Sequence, residues 1–293
     1  MNPITILIIE DKPRLATVEL FTRAQSLKRA FTANIPDCFV TVTGSGYPNY
    51  FSFFYEDSYY FDIIIVIGDI SNRLIQPISK INNNSTFILF WNIDKNRAEH
   101  DRFSTNLLNP QFVLCNNKHA MRIIDGFDRI IYFPNCYDDE LFAPKPDVKK
   151  YNLGLCRVKY GFQGEVPFIS SKYEIRTDNV DRSKMADAIN SYNIRYFKSF
   201  GSTISNDVFE TMGCKTCVVT NHVADIDSVF DVGTHLLTFE TIEDLDLLIG
   251  LLLKKPEHAQ AIATAGYNLV KEKHTYRNRA ATIIDLYKSF INR

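Results

Sequence analysis

The chain has 293 residues, and its 33 basic and 34 acidic side chains leave a formal net charge of −1. That length fits one large domain or two of ordinary size, and 45 % hydrophobic against 23 % charged residues excludes a disordered chain. Near-neutrality in both halves excludes wholesale electrostatic binding of nucleic acid, because counterion release needs a basic surplus.

Ile4 to Ile9 is an apolar run with the pattern of a strand buried on both faces. It is too short for a signal-peptide core and lacks a basic flank. No stretch reaches the roughly 18 apolar residues of a membrane-spanning helix, so a soluble, cytoplasmic protein is expected. Leu20, Phe21, Ala24, Leu27 and Phe31 share one helical face and predict a helix over 18–33. Strands are predicted at 39–43, 63–67, 87–91, 112–115 and 130–133, with a short helix at 75–81. Such runs separated by helices indicate a parallel sheet covered on both faces.

Residues 134–150 carry three prolines and no periodicity, the composition of an interdomain linker. A second series follows. Strands are predicted at 153–158, 166–169, 174–176, 194–197 and 216–220. Helices are predicted at 183–192, 207–212, 242–253, 257–273 and 277–291. Two near-equal α/β units result, 1–144 and 145–293. Six scattered cysteines suit a reducing compartment. The Cys214-x-x-Cys217 pair has no matching histidine pair to complete a zinc site, so buried thiols are expected.

Three segments of the second half, in order, carry a resemblance. Tyr132-Phe133-Pro134-Asn135 through Leu141-Phe142-Ala143-Pro144 is one. Ser205 to Cys214, with Phe209-Glu210 at its centre, is the next. Ile262-Ala263 and Ala265-Gly266-Tyr267, followed by His274-Thr275-Tyr276-Arg277-Asn278-Arg279-Ala280, is the last. Together they resemble the CgeB-like (spore maturation protein) glycosyltransferases of the GT-B superfamily. The resemblance implies two facing Rossmann-like domains with a cleft between them, the first for the acceptor and the second for a nucleotide-diphosphate sugar.

It also implies sites. The loop opening a helix at Ser205 and Asn206 presents free backbone N–H groups, a ready place for a diphosphate. By the family pattern Glu210 accepts hydrogen bonds from the ribose hydroxyls, and Arg157 and Lys159 neutralise the departing diphosphate. Asp11, Asp69 and Asp94 each follow a buried strand, and Asp94 is the first choice for a base. No metal and no cofactor are expected, so Asp225-x-Asp227 and Asp244-x-Asp246 are read as a loop and a helix start. The sequence departs from the family at Ser202, where many retaining relatives have glutamate, and at Asp207, where arginine is usual.

Three other readings stand beside this one. ILIIED at 6–11 resembles the opening of a receiver domain, but Ile67 stands where its phosphorylated aspartate belongs. A nucleotide-sugar epimerase or a non-catalytic GT-B-like binding protein is the second. In the third, the acceptor is a modified DNA base of viral origin, nucleic acid being a partner only in that role.

Overall fold

In a computed structural model, residues 3–10, 22–44, 47, 60–68, 78, 85–92, 108–124, 127–156, 165–199 and 203–292 are described. They divide into two compact units, one of residues 1–134 with Tyr276–Arg293, the other Asn135–Thr275. The boundary anticipated at 144/145 thus differs in two ways. The chain enters the second unit ten residues earlier, and it returns to the first for its last helix.

The first unit is built on a six-stranded parallel sheet. Its strands are β1 (Ile4–Glu10), β2 (Cys38–Thr43), β3 (Ile63–Ile67), β4 (Phe87–Asn92), β5 (Phe112–Cys115) and β6 (Ile130–Tyr132). They lie in the order β2-β1-β3-β4-β5-β6. Ile63 to Ile67 are all buried, as expected of a strand covered on both faces. Helix α1 (Arg23–Asn34) is capped by Thr22, whose side chain accepts from the Gln25 N–H, and it buries Ala24, Leu27, Ala30 and Phe31. Helix α2 (Lys118–Ile123) is capped by Asn117. Helix 75–81, apart from Ile78, and the start of the helix expected from 18 lie outside the described residues.

The second unit has a five-stranded parallel sheet in the order β11-β10-β9-β7-β8. Its strands are β7 (Tyr151–Cys156), β8 (Arg176–Asp178), β9 (Tyr192–Phe197), β10 (Cys217–Asn221) and β11 (Leu237–Phe239). Helix α3 (Glu165–Lys172) follows β7 in the chain, and a 3-10 turn (Arg182–Lys184) leads into α4 (Met185–Asn190). Then come α5 (Asn206–Gly213), α6 (Ile242–Lys254) and α7 (Pro256–Lys273). The final helix α8 (Tyr276–Ile291) packs on α1 of the first unit.

Two expectations are corrected. Residues 166–169 form part of α3, not a strand. Val166 and Ile169 imitate a strand, and Pro167 sits in the first turn of the helix, where proline is tolerated. Residues 135–150 are no loose linker. Tyr137 and Phe142 are 2 % exposed and belong to the core of the second unit, and the Lys145 N–H donates to Asn190 Oδ1. Strand β11 was unanticipated, being only three residues long.

Candidate functional site

Within the second unit, β7 and β9 are adjacent, and the chain leaves them toward opposite sides of the sheet order. Open α/β sheets bind ligands outside the carboxyl ends of strands at this kind of switch point. Ser205 and Asn206 stand in the segment that follows β9, and in the sequence Arg157 and Lys159 come after β7. In the first unit the same reversal lies between β1 and β3, and Asp94 follows β4 instead. Arg157, Lys159, Asp94, Asp11, Asp69 and Ser202 lie outside the described residues.

Helix α5 starts where the sequence predicts. Ser205 is its N-cap, its hydroxyl accepting from the Asp207 N–H and donating to Asp207 Oδ2. The turn before it is pinned by Asn135, which donates from Nδ2 to the Ile204 carbonyl at 2.8 Å. Asn206 opens the helix, and its Oδ1 is a buried acceptor with no partner among the described residues. Val208, Phe209 and Met212 fill the core.

Glu210 sits among these apolar groups, 2 % exposed. Burial of a carboxylate demands a cation or several donors, and Arg182 supplies both. Its guanidinium grips the carboxylate with two bonds, Nη1 to Oε2 at 2.7 Å and Nη2 to Oε1. The same guanidinium lies over the Phe142 ring, 5.0 Å from its centroid. Glu210 is therefore no solvated helix glutamate, and both of its oxygens are engaged.

A second pair lies beside it, its arginine buried and its aspartate side chain 32 % exposed. Arg195, on β9 and 1 % exposed, donates to Asp207 Oδ1 at 2.7 Å and to Thr211 Oγ1 at 2.6 Å. Burial pushes the Asp207 carboxyl up, but the Arg195 guanidinium, with Arg182 and Ser205, outweighs that and holds it below the usual carboxylate range. Asp207 is thus matched by an arginine from the neighbouring strand. Sequence reasoning missed Arg182 and Arg195. The available signal was a glutamate between Phe209 and Met212 on a core-facing helix, which requires a buried cation.

The three motif segments meet in space. In the second unit the Tyr137 N–H donates to the His274 carbonyl at 3.0 Å, and the His274 ring packs 5.4 Å from Phe209. A Cβ on Gly213 would stand 2.4 Å from the Tyr137 ring, and one on Gly266 3.2 Å from Met212. In the first unit Arg279 donates from Nε and Nη2 to the Pro134 carbonyl at 3.0 and 2.8 Å. The HTYRNR segment thus anchors α8 where the chain returns.

The remaining candidates are structural. Cys214 and Cys217 are buried free thiols, each pushed up to about 12 by burial. Asp227 Oδ2 accepts from the Nε2–H of the His222 ring at 2.9 Å. Asp244 completes a capping box with Thr241, and Asp246 pairs with Lys172 and Tyr173. Among the described residues no group of three or more His, Cys, Asp or Glu is placed to hold a metal. Cavities of about 500 and 470 Å³ in this unit include neither Arg182 nor any of residues 205–210. The second borders Asn152, Asn193 and Ile194, at the amino-terminal starts of β7 and β9, the wrong end of the sheet for a ligand of this fold.

Residues 166–285 match the family model described as glycosyl transferase-like. No curated protein matches the sequence. Among solved structures, sucrose-phosphate synthase from Thermosynechococcus elongatus superposes with a TM-score of 0.73 at 13 % identity, over 99 % of both chains. Anabaena HepE in complex with UDP and glucose gives 0.70 at 9 % identity, over 98 % of this chain and 100 % of HepE. A putative UDP-N-acetylglucosamine 2-epimerase from Listeria monocytogenes gives 0.61 at 12 % identity, over 99 % and 97 %. The chain has the GT-B fold, with two Rossmann-like parallel-sheet domains. Among the described residues no helix is long and apolar enough to cross a membrane.

Proposed function

We propose that this chain is a metal-independent, cofactor-free glycosyltransferase of the CgeB-like kind, which moves a sugar from a nucleotide-diphosphate sugar to an acceptor hydroxyl. The observation that carries this reading is the glycosyl transferase-like match over 166–285, within a chain that follows the GT-B fold from end to end. The HepE structures hold UDP and UDP-glucose, which supports a uridine nucleotide as the first donor to try. The scattered free thiols support a reducing, cytoplasmic setting.

In this reading the donor lies over the second unit. Backbone N–H groups at Ser205 and Asn206 face the diphosphate, and the helix dipole favours its charge. Arg157 and Lys159 stabilise the charge that grows on the diphosphate as the bond to the sugar's anomeric carbon breaks. A donor hydroxyl satisfies the buried Asn206 Oδ1, and Glu210 takes the ribose hydroxyls. The acceptor binds the first unit. If the anomeric carbon inverts, Asp94 removes the proton from the attacking hydroxyl. Replacing Asp94 with Asn then leaves donor binding intact and abolishes transfer; turnover at the wild-type rate rules out that role.

The Listeria neighbour's fold supports a second reading, epimerisation of the nucleotide sugar itself. Incubation with donor and no acceptor separates the two. Appearance of an epimer favours the epimerase, and an unchanged sugar favours transfer.

A further inference from the structure

We propose that Arg182 occupies the ribose subsite in the unliganded protein, and that a ribonucleoside diphosphate binds by exchange, its cis hydroxyls taking the Glu210 carboxylate from the Arg182 guanidinium. This rests on the reading of the second unit as the donor domain and specifies how its ribose subsite opens.

Three observations carry it. First, the Glu210 side chain is 3 % exposed, while that of Arg182 above it is 26 % exposed. The arginine, not solvent, covers the carboxylate. Second, the two guanidinium bonds take both carboxylate oxygens in the fork geometry that a vicinal diol would also use. Arginine and ribose hydroxyls can each offer Glu210 a pair of donors, the arginine adding a positive charge that the diol lacks. Third, Arg182 comes from the short turn before α4, whereas Glu210 is fixed in α5 with its neighbours buried. The proposed exchange moves the arginine side chain and leaves the helix in place. The guanidinium lies over the Phe142 ring, 5.0 Å from the centroid, a contact that fixes no single hydrogen-bond direction.

Exchange makes ribose recognition conditional. A ligand with both cis hydroxyls has two donors to replace those it removes. A ligand lacking them leaves Arg182 in place and forgoes Glu210 altogether. Selectivity for ribose is then set by the difference between two occupants of one carboxylate, and is weakened by the resident arginine.

The test is calorimetric titration of UDP and 2′,3′-dideoxy-UDP into the wild type, Arg182→Met and Arg182→Lys. The expected result is that the affinity ratio of UDP to its dideoxy analogue rises about tenfold in Arg182→Met, with Arg182→Lys between, because the competitor is gone. If Arg182 only braces the fold, both nucleotides change by the same factor in each variant, and that result overturns the exchange. Should Arg182→Met fail to fold, the wild type gives the answer by arginine-labelled NMR. The Arg182 Nε–H resonance, assigned from Arg182→Lys, is expected to shift with UDP and not with dideoxy-UDP; a resonance unmoved by saturating UDP overturns the proposal. Binding of UDP with an unchanged ratio removes the exchange alone, whereas a wild type that binds neither nucleotide removes the donor reading with it.

Discussion

Two arginine–carboxylate pairs on and beside α5 decide the character of the site. They differ in what sequence shows of them. Glu210 is legible because its motif and its position on an apolar helix face both mark it, and the structure adds the cation that burial demands. Arg195 is not legible, because an arginine in a strand between Ile194 and Tyr196 reads as an outward-facing residue until the sheet is assembled. Its pairing with Asp207 gives a pH prediction. The Asp207 carboxyl is held below its ordinary value of about 3.9. Its contribution to stability is therefore complete above that value and is lost as pH falls through the lower folded one. Asp207→Asn, which leaves a buried guanidinium without its carboxylate, is expected to cost about 3 kcal/mol at pH 7. In urea melts the gap between wild type and variant should narrow on acidification below pH 4. A gap that is constant with pH would remove the carboxylate from the account.

Elements were read well where hydrophobic period and caps agree, and badly where they do not. Strands β3 and β5 fall at the residues the apolar runs predict, and α6 and α7 within one residue. Residues 135–150 were misread because packing by isolated aromatics leaves no periodic trace: Tyr137 and Phe142 enter the core singly from an irregular segment. That segment meets α5 at Gly213, where an added Cβ would stand 2.4 Å from the Tyr137 ring and 2.9 Å from the Phe142 carbonyl. Gly213→Ala should therefore lower stability by about 1–3 kcal/mol, even though alanine is the better helix former. Thermal melting checks this, and an unchanged or raised melting temperature would show that the contact yields. Asn135→Ala acts on the same junction from the other side. It leaves the Ile204 carbonyl without its donor and is expected to cost about 1–3 kcal/mol. Because Ile204 leads into the Ser205 cap, nucleotide affinity should fall with it, a coupling that titration of the folded variant reads directly.

The whole chain runs through the two units as 1–134, 135–275 and back to 276–293. Sequence order hides such a return, since α8 follows α7 with only two residues between them. Its allegiance shows only in its contacts: Tyr287 and Phe290 lie 5.8 and 5.2 Å from Phe87, and Tyr276 lies 6.3 Å from Trp91. A fragment of residues 135–275 should melt cooperatively. One of residues 145–293 should not, because it loses Tyr137 and Phe142 and carries α8 without the surface that buries it. The opposite order of behaviour would restore the 144/145 boundary. Architecture was thus legible in outline as two parallel-sheet units, and the proposed donor side was legible through its motifs. The proposed acceptor side was not, because in the sequence several aspartates follow the strands of the first unit and no motif chooses among them.

If the second unit holds a nucleotide through α5 and Glu210, calorimetric titration of UDP into the full chain and its Glu210→Gln variant separates the two proteins. Saturable binding at one site per chain is expected, weakened at least tenfold in the variant while its melting transition stays cooperative. Equal affinity in the two proteins, or no binding of UDP, GDP, ADP or CDP to the wild type, would contradict it.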